Sequence, residues 1–185
     1  MENIKEKIRI FVEEECKKPT NSYGYQVYSN HLLPVINYAK ILTKKMNANE
    51  EIVELAATLH DIGLIMHGRE NHHITGAEIA EKKLKELNYP EEKIEQVKHC
   101  IRTHRGSKDI KRETKEAQIV ADADAMSHFD RIGGIFWIAY FVEKLNQEEA
   151  REFVKTKLTK SFNKLSKNAK EIIKPRYEAA MMLLE

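Results

Sequence analysis

Three observations predict an all-α fold, a single compact domain over residues 1–185. Apolar residues recur at helical spacing along nearly the whole chain, strand-like alternation is almost absent, and only four prolines and seven glycines interrupt the pattern. A chain of this length can bury a sizeable core without disulfide or metal staples.

Taken in order, Ile4, Ile8, Phe11, Val12 and Cys16 form the apolar face of a first helix, closed by Pro19 and the polar stretch TNSYGY. A second helix is expected from about Asn30. Pro34 then falls in its first turn, where a missing N–H costs little, and His31 stands at its start. Asn47 and Glu50 read as a capping box for a third helix that ends at Gly63. Thr75 and Glu78 read as a second box, starting a fourth helix near Gly76 and running to about Leu87. Pro90 suits the first turn of a fifth, with Ile94, Val97 and Ile101 on one face, and Thr114 caps a sixth through Ile119, Val120, Ala123 and Met126. The apolar run IFWIAYFV, Ile135 to Val142, predicts a helix buried on all sides or packed on a partner chain, so a homodimer is one expectation. Two lysine-rich helices, roughly 147–166 and 168–184, complete the chain, the second broken or kinked at Pro175.

Composition excludes several function classes. The formal net charge is +2, from 31 basic and 29 acidic side chains, which argues against a dedicated nucleic-acid binder. The lysines of the tail, Lys155, Lys157, Lys160, Lys164, Lys167, Lys170 and Lys174, read as a solvated face. Cys16 and Cys100 stand far apart, so reduced thiols in a cytoplasmic protein are expected, and a cysteine-based zinc site is excluded. The charged N-terminus lacks the apolar stretch of a signal peptide, and the eight-residue run at Ile135 is too short to span a bilayer.

The residues with chemistry in them are histidines and aspartates. His60 follows Val53, Ala56 and Ala57 at helical spacing and should point toward the core, with Asp61 about 100° further round the helix. Such a pair can reach one ion from a helix edge, or be a core histidine beside a helix-terminal carboxylate. In EAQIVADADAMSHF, Asp124 aligns with Ala117, Val120 and Ala121 and should face inward. A buried carboxylate needs compensation, either a metal ion or a salt bridge. Asp122 points about 200° away and cannot share its direction.

Together His31, the run AATLHDIG at 56–63 and ADADAM at 121–126 resemble the HD superfamily of phosphohydrolases. The resemblance covers roughly residues 26–140 and leaves a helical extension from about 145 to 185 outside it. It implies a divalent ion held by His31, His60, Asp61 and Asp124, with Asp122 the second choice for the last ligand. Mixed nitrogen and oxygen ligands suit Mn, Fe, Co, Ni or Zn better than Ca, with Mg a further candidate. The implied reaction is hydrolysis of a phosphoester or phosphoanhydride by a metal-activated water, with Asp61 between metal and nucleophile. The implied substrate is a small phosphorylated molecule, first of all a nucleotide.

The remaining histidines extend the same resemblance. His72 and His73, in NHHITGAE, precede a helix, and His104 ends the row of Val97 and Ile101. His72 and His104 are candidates for catalysis through phosphate contact and proton donation, or for ligating a second metal. His73 and Arg105 are candidates for holding the substrate phosphate. The segment HRGS stands where cyclic-dinucleotide phosphodiesterases of the superfamily carry Gly-Tyr-Pro, and the paired Glu-Asp of alarmone hydrolases is missing after HDIG. Two rival functions share these residues: a nucleotide sensor without catalysis, and a di-iron oxygenase.

Overall fold

The computed structural model describes residues 3–105 and 110–185, and the described residues are helical with no strand. The helices are α1 Ile4–Lys17, α2 Leu33–Met46, α3 Glu50–Leu59, α4 Ile62–His67, α5 His72–Glu86, α6 Glu91–Thr103, α7 Lys115–Ser127, α8 Ile132–Trp137, α9 Gln147–Asn163 and α10 Lys167–Leu183. None is long and apolar enough to cross a membrane.

At the centre, α3 packs on α2, α6 and α7, while α1 closes one side of α3 and α4. Helix α5 pairs with α6 and crosses α4; α10 lies against α2, α7 and α9. The fully buried side chains include Leu32, Leu42, Leu55, Leu59, Ile101 and Met126, so the apolar rows read from the sequence converge on one core. Polar ties set the helix ends: Glu116 accepts from the Asn49 N–H at 2.9 Å, and Lys5 reaches Glu54 at 2.9 Å.

Several boundaries differ from expectation. The second helix begins earlier, because a π-turn at Tyr28–Leu32 runs straight into α2, with the Leu33 N–H on the Tyr28 carbonyl. Pro34, lacking an N–H, follows this widened turn inside a continuous helix. The cap of α3 is Asn49, accepting from the N–H groups of Glu51 and Ile52, and Asn47 instead ends α2 in the left-handed conformation at φ 50°. The third helix does not run to Gly63. It breaks at Asp61, with φ −106° and ψ 13°, and α4 restarts at Ile62. Helix α5 starts at His72, after Asn71 at φ 52°, a turn earlier than the Thr75 box predicts.

The break permits a close crossing. A Cβ on Gly63 would meet the His72 carbonyl at 2.4 Å and the Gly76 nitrogen at 2.6 Å, so α4 and α5 touch backbone to backbone. The IFWIAYFV segment is also corrected: it is α8 followed by a π-turn at Ile138–Val142, and it is not buried on all sides. Ile135 and Ala139 are buried, whereas Trp137 is 48% exposed and Phe141 60%. Pro175 lies within an unbroken α10.

Candidate metal centre

Five helices deliver the polar groups to one place. His31 comes from the π-turn before α2, His60 and Asp61 from the break between α3 and α4, and His72 from the first turn of α5. His104 follows α6, and Asp124 lies on α7. The donors form two adjoining groups, His31 with His60 and Asp124, and Asp61 with His72 and His104.

Asp61 joins the groups. Its Oδ2 lies 3.1 Å from His31 Nε2 and 3.5 Å from His60 Nε2, while its Oδ1 lies 3.5 Å from His72 Nε2 and 3.6 Å from His104 Nε2. His31 Nε2 is also 3.6 Å from Asp124 Oδ1.

The tautomers follow from the opposite side of each ring. His60 Nδ1 donates to the Ala57 carbonyl at 2.8 Å, His72 Nδ1 to Arg69 at 2.8 Å and His104 Nδ1 to Ile101 at 2.6 Å. A carbonyl only accepts, so each Nδ1 carries the hydrogen. His31 Nδ1 faces Ser127 Oγ at 3.1 Å, and that hydroxyl spends its own hydrogen on the Asp124 carbonyl at 2.7 Å. In neutral rings all four Nε2 lone pairs therefore point inward. His31 and His60 bring theirs to 3.2 Å, and His72 and His104 to 3.3 Å. Two facing lone pairs repel unless a positive charge sits between them. Such separations match the edges of a coordination shell with metal–nitrogen bonds of about 2.0–2.1 Å, and backbone or hydroxyl partners on the far nitrogen are what a ligating imidazole requires. The donors fit divalent cations.

Electrostatics point the same way. Burial opposes charge on His60, but Asp61 beside it and then Asp124 outweigh burial and raise its pKa to about 9. Burial likewise opposes charge on Asp61 and Asp124, yet the surrounding imidazoles hold both carboxyls well below the usual range. His72 is pushed down, chiefly by burial. The site is a buried nest of carboxylates and imidazoles that attracts positive charge.

Among the other expected residues, His73 is buried beside His72, ring edge to ring face at 6.0 Å, and belongs to neither donor group. Arg105 is half-buried just beyond His104, close enough for its charge to depress the pKa of His72. Gly106 and Ser107 of the HRGS segment lie outside the described residues. Asp122 turns away from the donors: it accepts from Gln118 at 3.0 Å and from the Ser166 N–H at 3.0 Å, fixing α7 to the start of α10.

Sequence reasoning missed three groups here. His128 stacks on His31 at 6.4 Å and bonds Ser161 at 2.9 Å. Burial, with the charges of His31, Lys157 and Lys164, lowers its pKa to about 3 despite Asp124. Lys164 is exposed as expected of a solvated face, yet its charge and that of Lys157 reach Asp124 and His128. Lys157 is partly buried, and its pKa falls through burial and the charges of Lys164 and Arg69. Only the register of α9 on the core, set by Val154 and Leu158, reveals this, and no motif marks it.

Beside the donors lies a cavity of about 470 Å³ that His31 and Ser127 share with Tyr23, Val27, Leu64 and Trp137.

Among solved structures, Bacillus subtilis YpgQ in complex with ADP superposes with a TM-score of 0.72 at 21% identity, covering 97% of this chain and 93% of that one. An HD-superfamily hydrolase from Bacillus thuringiensis superposes at 0.74, with 21% identity over 97% and 92% of the two chains. At these identities the likeness is one of fold. Ribonuclease Y of Desulforudis audaxviator is 34% identical over 112 residues, 60% of this chain and 20% of that protein. Its counterpart in Symbiobacterium thermophilum is 33% identical over 107 residues, 57% and 19%. The chain thus spans about a fifth of the length of these curated relatives. Residues 28–128, more than half of the chain and the stretch that carries every donor described above, match the HD domain, and the protein belongs to the HD domain family.

Proposed function

We propose that this protein is a metal-dependent phosphohydrolase that cleaves a phosphoester or phosphoanhydride bond of a nucleotide with a water activated at the donor cluster. The observation that carries this reading is the inward convergence of four Nε2 atoms on the two oxygens of Asp61. His31, His60, Asp61 and Asp124 would hold one divalent ion, and Asp61, His72 and His104 a second. For His72 and His104 ligation of a second ion is supported by their 3.3 Å approach, both rings turning Nε2 toward Asp61 Oδ1.

Divalent ions bound there supply Lewis acidity, drawing charge from phosphoryl oxygens and lowering the pKa of water. The chain's own residues do the rest. The hydrogen bonds to Ala57, Arg69 and Ile101 hold the rings in the ligating tautomer. Asp61, kept ionised, would offer one carboxylate oxygen to an ion beside His31 and His60 and the other to an ion beside His72 and His104. Arg69, Lys157 and Lys164 lend positive charge to the surroundings of Asp124 and His128, which would favour a phosphate there. Arg105, whose charge reaches His72, would add to the positive charge that a phosphate meets beside His72 and His104. The nucleotide assignment is supported by the ADP held by a solved protein of the same fold and by curated relatives that are ribonucleases.

The test is release of phosphate or pyrophosphate from a panel of nucleotides and p-nitrophenyl phosphate. It compares metal-stripped protein with protein given Mn, Co, Ni or Mg, alongside His60→Ala and Asp61→Ala. Metal-dependent turnover lost in both variants is expected. Absence of turnover with every metal, in protein that still binds metal tightly, would overturn the reading in favour of a sensor or an oxygenase.

A further inference from the structure

We infer that the cavity beside His31 is the nucleoside subsite, and that the turn into α8 selects substrates carrying a base over bare polyphosphate. This rests on the donor cluster being the place where phosphate is cleaved, since the cavity opens on that cluster through His31 and Ser127, which border both.

The cavity has the size and chemistry of a small-molecule pocket. At about 470 Å³ it lies within the roughly 300–1,000 Å³ usual for such sites. Its walls are apolar and aromatic, from Tyr23 and Val27 before α2, Leu64 on α4, and Ile135, Trp137 and Ile138 around α8. Trp137 is 48% exposed although it borders the cavity, its ring set against Phe141 at 5.9 Å between centroids. A large aromatic surface left open beside a polar centre suits a flat π-system. Away from His31, Ser127 and His128, the polar side chains of Gln26, Asn30 and Arg131 reach the same walls. Two amides and a guanidinium offer the paired donors and acceptors that a base edge requires, and none of the three is an acid that would repel a phosphate ester.

Two glycines complete the wall. A Cβ built on Gly133 or on Gly134 meets no atom within 4 Å, and neither residue has a positive φ, so the fold does not require glycine there. Both lie in a helical turn, where glycine is unfavourable relative to other residues. Their bare backbone instead leaves room in the cavity, which a ligand can use.

Trp137 is the sole tryptophan of the chain, so its fluorescence reports on this wall. The experiment titrates metal-stripped protein with each of the four common nucleoside 5′-triphosphates and with inorganic tripolyphosphate, in the parent and in Gly133→Leu and Gly134→Leu made singly. A nucleotide is expected to change the indole emission where tripolyphosphate does not, and at least one leucine variant, with unchanged circular dichroism, is expected to lose the response. In metal-loaded protein the ratio of kcat/KM for the nucleotide to that for tripolyphosphate should fall at least tenfold in that variant and in Trp137→Ala. A parent that responds to no nucleotide, or two leucine variants that bind it as the parent does, would overturn the assignment. Nucleotide binding with no turnover in any metal would remove the hydrolase reading while leaving the subsite standing.

Discussion

At the scale of single residues, what matters is which nitrogen of each ring is free. Asp61 and His60 were legible in the sequence as a pair at a helix edge, and their turn-out toward a shared centre follows from the break that the structure places at Asp61. The tautomers were not legible, because they are set by carbonyls of the preceding turn and by Ser127, which no ligand pattern names. Lys157 illustrates the same limit from the other side. In sequence it is one lysine among seven in a charged tail, and only the packing of α9 brings it to Asp124. A partly buried ammonium facing a phosphate would contribute about 1.4 kcal/mol, a factor of ten in affinity. Lys157→Met is therefore expected to raise KM for the phosphorylated substrate about tenfold while leaving metal content untouched. Steady-state kinetics together with metal analysis check this, and a loss of metal in the variant would assign Lys157 to the structure of the centre rather than to substrate.

At the scale of elements, helix identity was readable and helix boundaries were not. Apolar rows such as Val53, Ala56, Ala57 and Val97, Ile101 carry the periodicity that packing needs, and these rows are the buried ones. The π-turn at Tyr28–Leu32 and the early start of α5 escape such a reading, since each depends on a neighbour across the core. Gly63 is the sharpest instance. Its role is to let α4 cross α5 at backbone contact, which puts His72 opposite Asp61. Gly63→Ala should cost about 3 kcal/mol by overpacking, well beyond the gain of up to about 1 kcal/mol from helix propensity. Gly76→Ala, whose nearest atom would be 3.3 Å away, should cost much less. Denaturant unfolding of both variants tests the difference, and equal costs would remove the crossing argument. The pairing of α5 with α6 has an electrostatic tie as well, because Lys98, nearly buried, meets Glu81 at 2.6 Å. Hydrogen bonds from Lys85 and Lys98 lower Glu81 from 4.5 to about 2. A carboxyl depressed in the folded state contributes stability above its unfolded pKa and loses it as pH falls from 4.5 to about 2. Glu81→Gln should thus lose about 1 kcal/mol near neutral pH and match the parent near pH 2. Parallel melts across that range decide it, and a gap that persists in acid would mean that packing, not charge, joins the two helices.

At the scale of the whole molecule, the donor cluster is where separate parts of the chain meet. Its side chains come from the approach to α2, the α3–α4 break, α5, the end of α6 and α7, and α9 adds Lys157 from beyond the stretch that matches the family. These helices are joined elsewhere by apolar contact, but around Asp61 they are joined by groups that repel one another when neutral. With Nε2 atoms paired at 3.2 and 3.3 Å, protons such as the one His60 holds separate them in the metal-free protein, and a divalent cation would replace those protons with a tie between five segments. Because an unfolded chain does not hold these donors together, binding should favour the native state by mass action. At a free metal concentration a hundred times the dissociation constant the gain is about 2.7 kcal/mol. For a chain of this size that corresponds to a rise in Tm of about 5–10 °C. Thermal melts of metal-stripped protein, with and without Mn, Co or Ni, should show this rise, and a chelator should reverse it. His60→Ala, which removes a fully buried ligand, should melt lower without metal and gain little on its addition. Asp61→Ala should gain nothing, since Asp61 places one carboxylate oxygen against each donor group. A parent whose Tm ignores every divalent metal would mean that the inward-facing lone pairs are satisfied by protons, and the cluster would then be a buried polar network rather than a metal centre.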